Sequence, residues 1–229
     1  MREDDASWDE DVRLAVYRAF ARHGRAPGAP ELAAAAGGSL AVAKQALHRL
    51  AVARHLVLDE CEHVVLAHPF AAKSLGFSVM GAHTLWWGGC AWDSFAIPHL
   101  VDAEPEVLVA TRCPGCGQPH ALVVNRSGPP EGRQVAHFPV PAARMWDDVL
   151  RTCANQRLFC CESCVDAWLA HTGQSRGSVL DLVTLWRLAR GWYAGRLERG
   201  YRRREPQDAV AYFAEAGLTG PFWAATAGV

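Results

Sequence analysis

The chain has 229 residues, half of them hydrophobic and 21% charged, with a formal net charge of -1 at pH 7. That length supports a sizeable core in one or two domains, and so balanced a charge excludes bulk electrostatic attraction to duplex DNA or to an anionic membrane. No apolar run reaches the roughly 20 residues that span a bilayer, and the acidic opening MREDDASWDED lacks the basic-then-apolar pattern of a secretory leader. A cytoplasmic protein is expected. In that reducing compartment its eight cysteines, Cys61, Cys90, Cys113, Cys116, Cys153, Cys160, Cys161 and Cys164, are free thiols, metal ligands or catalytic groups rather than disulfides.

Residues 8–23 place Val12, Val16, Ala19 and Phe20 on one face of a helix. After the turn-rich stretch 24–30, Pro30 starts a short alanine-rich helix that stops at Gly37-Gly38. Ser39 is the expected N-cap of a third helix, with Leu40, Ala43, Leu47 and Leu50 as its buried stripe. Residues 55–67 then alternate like a hairpin around Asp59-Glu60-Cys61-Glu62. Three helices followed by a hairpin is the order of a winged helix-turn-helix, so 1–75 is expected as a winged-helix-like N-terminal domain. Its third helix exposes Lys44, Gln45, His48 and Arg49, but the hairpin tip is acidic where a phosphate contact would want lysine or arginine. Nucleic acid is therefore not an expected partner, and a structural or lid-forming role is.

Residues 76–229 are expected to form a core domain of antiparallel strands with flanking helices, which makes the whole chain α+β. His68-Pro69-Phe70 leads through Gly76 and Gly81 to the apolar run Thr84-Leu85-Trp86-Trp87. After Gly88-Gly89, residues 90–98 read as a helix ending near Pro98. Positions i and i+3 share a helix face, so Cys90 and Asp93 point the same way. Strands are expected at 106–111, 120–124 and 134–138, with helical segments at 146–150 and 161–171. A long helix over 178–199 would bury Leu180, Val183, Leu185, Trp186 and Leu188; the basic Tyr201-Arg202-Arg203-Arg204 and a last helix at about 206–216 follow.

Cys113-Pro114-Gly115-Cys116-Gly117 is a turn whose glycines let two sulfurs converge, and Cys161-Glu162-Ser163-Cys164 repeats the spacing at a helix start. A knuckle, a hairpin and a second pair on a helix N-terminus resemble a treble-clef zinc site. The expected ligands of a structural zinc are Cys113, Cys116, Cys161 and Cys164, with Cys160 in place of Cys161 as the alternative. In the first case Cys90, Cys160 and Asp93 remain as the open set, and Cys153 and Cys61 read as core or incidental residues.

The stretch 87–98, WGGCAWDSFAIP, resembles the signature of the organomercurial (alkylmercury) lyases, as do Cys113 in its turn and Phe159-Cys160 before a helix. The resemblance covers most of the chain at low density; Cys116 and Cys164 are not required by the lyase pattern. It implies a lyase-like core and protonolysis of carbon–mercury bonds in small organomercurial substrates, giving a hydrocarbon and mercuric ion. Cys90 and Cys160 would be the mercury-binding thiolates, since mercury is soft, and Asp93 the acid that delivers the proton. Trp86, Trp87, Trp92 and Phe95 would shield Asp93 and receive the organic group. No organic cofactor is expected, and free cellular thiols or a mercuric reductase would accept the mercuric ion. The alternative is a non-enzymatic metal-binding or metal-sensing regulator built from a winged helix and a zinc site.

Overall fold

Three helices open the computed structural model, which describes residues 3–224: α1 (Glu3–His23), α2 (Ala29–Ala35) and α3 (Leu40–Val52). Residues 1, 2 and 225–229, the outer ends of the two expected domains, lie outside the described residues. Val12, Val16, Tyr17 and Phe20 of α1 are fully buried, as the helical spacing requires. Ser39 caps α3 as expected, its hydroxyl accepting from the Val42 N–H at 3.3 Å. The buried stripe of α3 is Ala43, Ala46, Leu47 and Leu50; Leu40, at the first turn, is 38% exposed instead.

The hairpin follows as β1 (Val57–Leu58) and β2 (Val64–Ala67), with Val57 opposite Leu66. Its acidic tip neutralises the polar face of α3: Lys44 and His48 each reach Glu62 at 2.8 Å, while Arg49 pairs with Asp9 of α1 at 2.7 Å. The hairpin is also the edge of a larger sheet. Through β3 (Phe70–Ala71), β4 (Ser78–Met80), β5 (Leu85–Gly88), β6 (Glu106–Arg112) and β7 (Pro119–Asn125) the order is β1-β2-β3-β5-β4-β6-β7. Every neighbouring pair is antiparallel. One sheet thus carries strands from both sides of residue 75.

Alternate residues of β6 and β7 are buried, so the sheet has one covered face. The cover is α4 (Ala91–Leu100), which packs on β3 to β7 and is in turn covered by α7 (Leu182–Trp192). Sandwiched in this way, α4 is buried from Ala91 through Pro98, acidic Asp93 and polar Ser94 included. The helix ends near Pro98 as expected, two residues beyond it, because the proline deletes only its own N–H bond within the last turn. Trp86 fastens the sheet to α1, its indole N–H donating to the Phe20 carbonyl at 2.8 Å.

A second sheet, ordered β10-β8-β9, joins β8 (Val135–Phe138), β9 (Arg157–Phe159) and β10 (Ser178–Asp181). The expected helix over 178–199 is therefore wrong at both ends. Residues 178–181 pair with β8, and Asp181 then caps α7 by accepting from the Thr184 N–H at 2.7 Å. α7 stops at Trp192, which frees Tyr193 and Arg196 from helical geometry. The helix expected at 146–150 is α5 (Val149–Asn155), started by Asp148 accepting from Arg151 N–H at 3.0 Å. α6 (Glu162–Thr172) ends at Gly173, whose φ of +67° suits the left-handed cap, and α8 (Pro206–Glu215) closes the fold. The α+β class with antiparallel sheets is as expected, and no helix among the described residues is long and apolar enough to cross a membrane.

Candidate active site

Gly88-Gly89 at the end of β5 delivers the chain to Cys90, the N-cap of α4. The Cys90 sulfur accepts from the Asp93 N–H at 3.4 Å and donates to Asp93 Oδ2 at 3.2 Å. The expected shared face of Cys90 and Asp93 is what the helix presents. Asp93 has no solvent exposure and Cys90 has 2%. Gly89 makes room for the carboxylate, since a Cβ at that position would lie 2.3 Å from Asp93 Oδ2. Gly89→Ala is expected to displace the acid, costing about 1–3 kcal/mol of stability as an overpacked site and at least tenfold in turnover. Urea titration and initial rates on the same preparation check this.

The sulfur that meets this pair is Cys153, not Cys160. The end of α5 is tied to the start of α4 by the Ala91 N–H donating to the Gln156 carbonyl at 3.0 Å. One turn earlier on α5, the Cys153 sulfur lies 4.0 Å from Asp93 Oδ2, the oxygen to which Cys90 donates. Residue 153, which reads as incidental from sequence, is buried in the centre of the site. Cys160 follows β9 out of the core and is absent from the lining of the cavity that holds Cys90. It sits 3.4 Å from Cys116, in a cluster with Cys113 and Cys164. Cys161, expected in that cluster, stands at the N-cap position of α6, its sulfur 3.0 Å from the Ser163 hydroxyl and 3.9 Å from the Cys164 sulfur.

Three further groups complete the site. His68 Nε2 is 3.3 Å from the Cys153 sulfur. The Tyr193 hydroxyl donates to Asp93 Oδ1. Arg196 lies over the Tyr193 ring at 4.5 Å and donates to the His68 carbonyl at 2.6 Å, holding tyrosine and histidine in one frame. Tyr193 and Arg196 stay hidden in sequence because an expected continuous helix would aim them elsewhere. His68 carries no spacing that links it to a cysteine.

The two thiols differ in proton affinity. Burial, reinforced by Cys153 and the charge of Asp93, holds the Cys90 thiol well above its ordinary range. At Cys153 the neighbouring Cys90 thiol outweighs burial and His68 adds to it, lowering the thiol to about 7. Burial alone would lower His68, but the negative charges of Asp93 and Cys153 raise it instead. Burial and Asp93 push the Tyr193 phenol well up, so it remains a donor.

A cavity of about 560 Å³ opens onto Cys90, Asp93, Cys153 and His68. Trp92, Trp146, Trp192 and Phe213 give it apolar walls; Trp86, Trp87 and Phe95 do not line it. Trp86 and Phe95 are core residues, and Trp86 is spent on α1. Arg54, Arg202, Arg203 and Arg204 also face the cavity, whereas Asp93 and Glu205 are the acids among its described lining.

A family model described as alkylmercury lyase matches residues 70–194, just over half of the chain. No curated protein is a significant match to the sequence. Among solved structures the fold is similar to a crystal structure of the mercury-bound form of MerB2, with a TM-score of 0.59 and 14% identity. That likeness covers 80% of this chain and 96% of the other.

Proposed function

The chain belongs to the alkylmercury lyase family and is an enzyme of that class, and from that premise we propose that Cys153, Cys90 and Asp93 perform the carbon–mercury cleavage. One observation carries the assignment: two thiols of unlike proton affinity lie 3.2 and 4.0 Å from one carboxylate oxygen. With a thiol lowered to about 7 beside His68, Cys153 supplies the first thiolate. Its sulfur displaces the ligand opposite carbon on the organomercury cation, which is soft and prefers sulfur.

Cys90 enters as a thiol. As its sulfur bonds to mercury its proton passes to Asp93, the nearest acceptor. Two thiolates now push electron density through mercury onto the attached carbon. Asp93 returns the proton to that carbon, the carbon–mercury electron pair becomes the new C–H bond, and the hydrocarbon leaves. Mercuric ion stays on Cys90 and Cys153 until other thiols take it. The Tyr193 hydroxyl, held over Arg196, keeps the carboxylate aimed while its proton load changes.

The apolar walls suit a small alkyl or aryl group. The arginines beside them suit anionic thiols that deliver substrate or withdraw mercuric ion, cellular thiols or a thiol-bearing mercuric reductase among them. Dependence on reduced thiols fits a cytoplasmic setting. A DNA-binding regulator is the weaker reading, because Glu62 and Asp9 already occupy the cations of α3.

Phenylmercury with excess thiol tests the reading directly: several equivalents of benzene per protein are expected, and none would reject it. The pH profile tests the role of Cys153. Below about 7 that thiol is protonated, so kcat/KM should fall close to tenfold per pH unit, and above it should level off. His68→Ala removes a cause of the lowered value, and its break should move upward. A profile flat across 7 in the native enzyme would show that Cys153 is not the first thiolate.

A further inference from the structure

Away from the cavity, four sulfurs from three segments converge. Cys113 and Cys116 come from the turn between β6 and β7, Cys160 from the end of β9, and Cys164 from the first turn of α6. All four lie within 4.8 Å of one another, and Cys116 is 3.4 Å from Cys160. A regular tetrahedron with Zn–S bonds of about 2.3 Å separates its sulfurs by about 3.8 Å. All eight cysteines are free thiols, and the spacing is far from the roughly 2.05 Å of a disulfide.

We infer that Cys113, Cys116, Cys160 and Cys164 form a structural zinc site, independent of the lyase chemistry. The turn is shaped for it: the Gly117 N–H donates to the Cys113 carbonyl at 2.8 Å and the Cys113 N–H to the Gln118 carbonyl at 2.9 Å. Gly117 takes a φ of +74°, which glycine adopts without strain. Gly115 lets the turn touch α6, because a Cβ there would lie 2.2 Å from the Cys164 carbonyl oxygen. Cys161 is not among the four mutually close sulfurs: its sulfur reaches Cys164 at 3.9 Å but lies nearer the Ser163 hydroxyl, at 3.0 Å.

Packing supplies the second argument. The apolar cluster around these sulfurs has Cys113, Phe159 and Val165 as its buried members and is separate from the main core. So small a cluster is weak support for a turn, a strand end and a helix start, the situation in which a metal substitutes for core. A sulfur-only tetrahedral set selects zinc among common cellular cations, and four protein ligands leave no open position for catalysis. His120 Nε2, 3.8 Å from the Cys160 sulfur, is placed to donate an N–H to a bound thiolate.

Elemental analysis of the full chain purified without chelator should find one zinc per molecule. Cobalt(II) exchange should give the intense visible bands of a tetrahedral thiolate site. Cys160→Ser should lower zinc content at least tenfold, and Cys161→Ser should keep it. Zinc-free native protein that takes up cobalt only with weak octahedral bands would overturn the inference. So would zinc kept by Cys160→Ser but lost by Cys161→Ser, or six titratable thiols in denaturant with chelator where the free chain has eight. Should Cys160→Ser not fold, the native metal content and the Cys161→Ser result decide between these outcomes.

Discussion

Asp93→Asn should capture an organomercurial and fail to release its hydrocarbon. Asparagine keeps the shape of the side chain and still accepts the Tyr193 hydroxyl bond, but it has no acidic proton to give. It also cannot take the proton of Cys90, whose thiol burial holds well above its ordinary range. Both proton transfers of the cycle are lost together. A positioned general acid contributes about 10²- to 10⁴-fold, and benzene formation in a single turnover should fall by that factor. Mercury should still co-elute with the variant through Cys153. A variant within tenfold of the native rate would remove Asp93 from the chemistry.

Cys153→Ser has the second large effect. Serine oxygen is a hard donor, raised far above the thiol in proton affinity, and mercury has little preference for it. The first thiolate disappears, and with it the second metal–sulfur bond that activates carbon. Loss of an activated nucleophile of this kind lowers kcat/KM by roughly 10³-fold or more, and mercuric ion should wash off at thiol concentrations that the native protein withstands. Cys160→Ser, compared per folded molecule, should stay within about tenfold of native, because Cys160 lies outside the cavity that holds Cys90, Asp93 and Cys153. Equal loss in both variants would contradict this division of the sulfurs.

The physical difference between what was legible and what was not is one of range. Ser39 as a cap, Gly37-Gly38 as a stop and the i, i+3 pairing of Cys90 with Asp93 all act within a turn or two of chain, and the structure shows each of them. The antiparallel strands 106–111 and 120–124 were likewise readable, since alternation reports one buried face. Short-range reading failed where local pattern and pairing competed. Residues 178–181 have helical apolar spacing but bond to β8, and the Asp181 cap resets the helix.

The second thiol of the site was beyond such reading. Three cysteines stand within nine positions, Cys153, Cys160 and Cys161, and nothing local says which sulfur crosses to Asp93. The outcome depends on the Ala91–Gln156 bond that docks α5 on α4, and on β9 carrying Cys160 toward the turn of Cys113 and Cys116. His68, Tyr193 and Arg196 join for the same reason, brought from opposite ends of the fold by packing. By itself the sequence determined the pairing of Cys90 with Asp93, because both lie on one helix turn. Only the tertiary structure decided which further sulfur lies beside them, since contacts between distant segments are set by how helices and sheets dock and not by spacing along the chain.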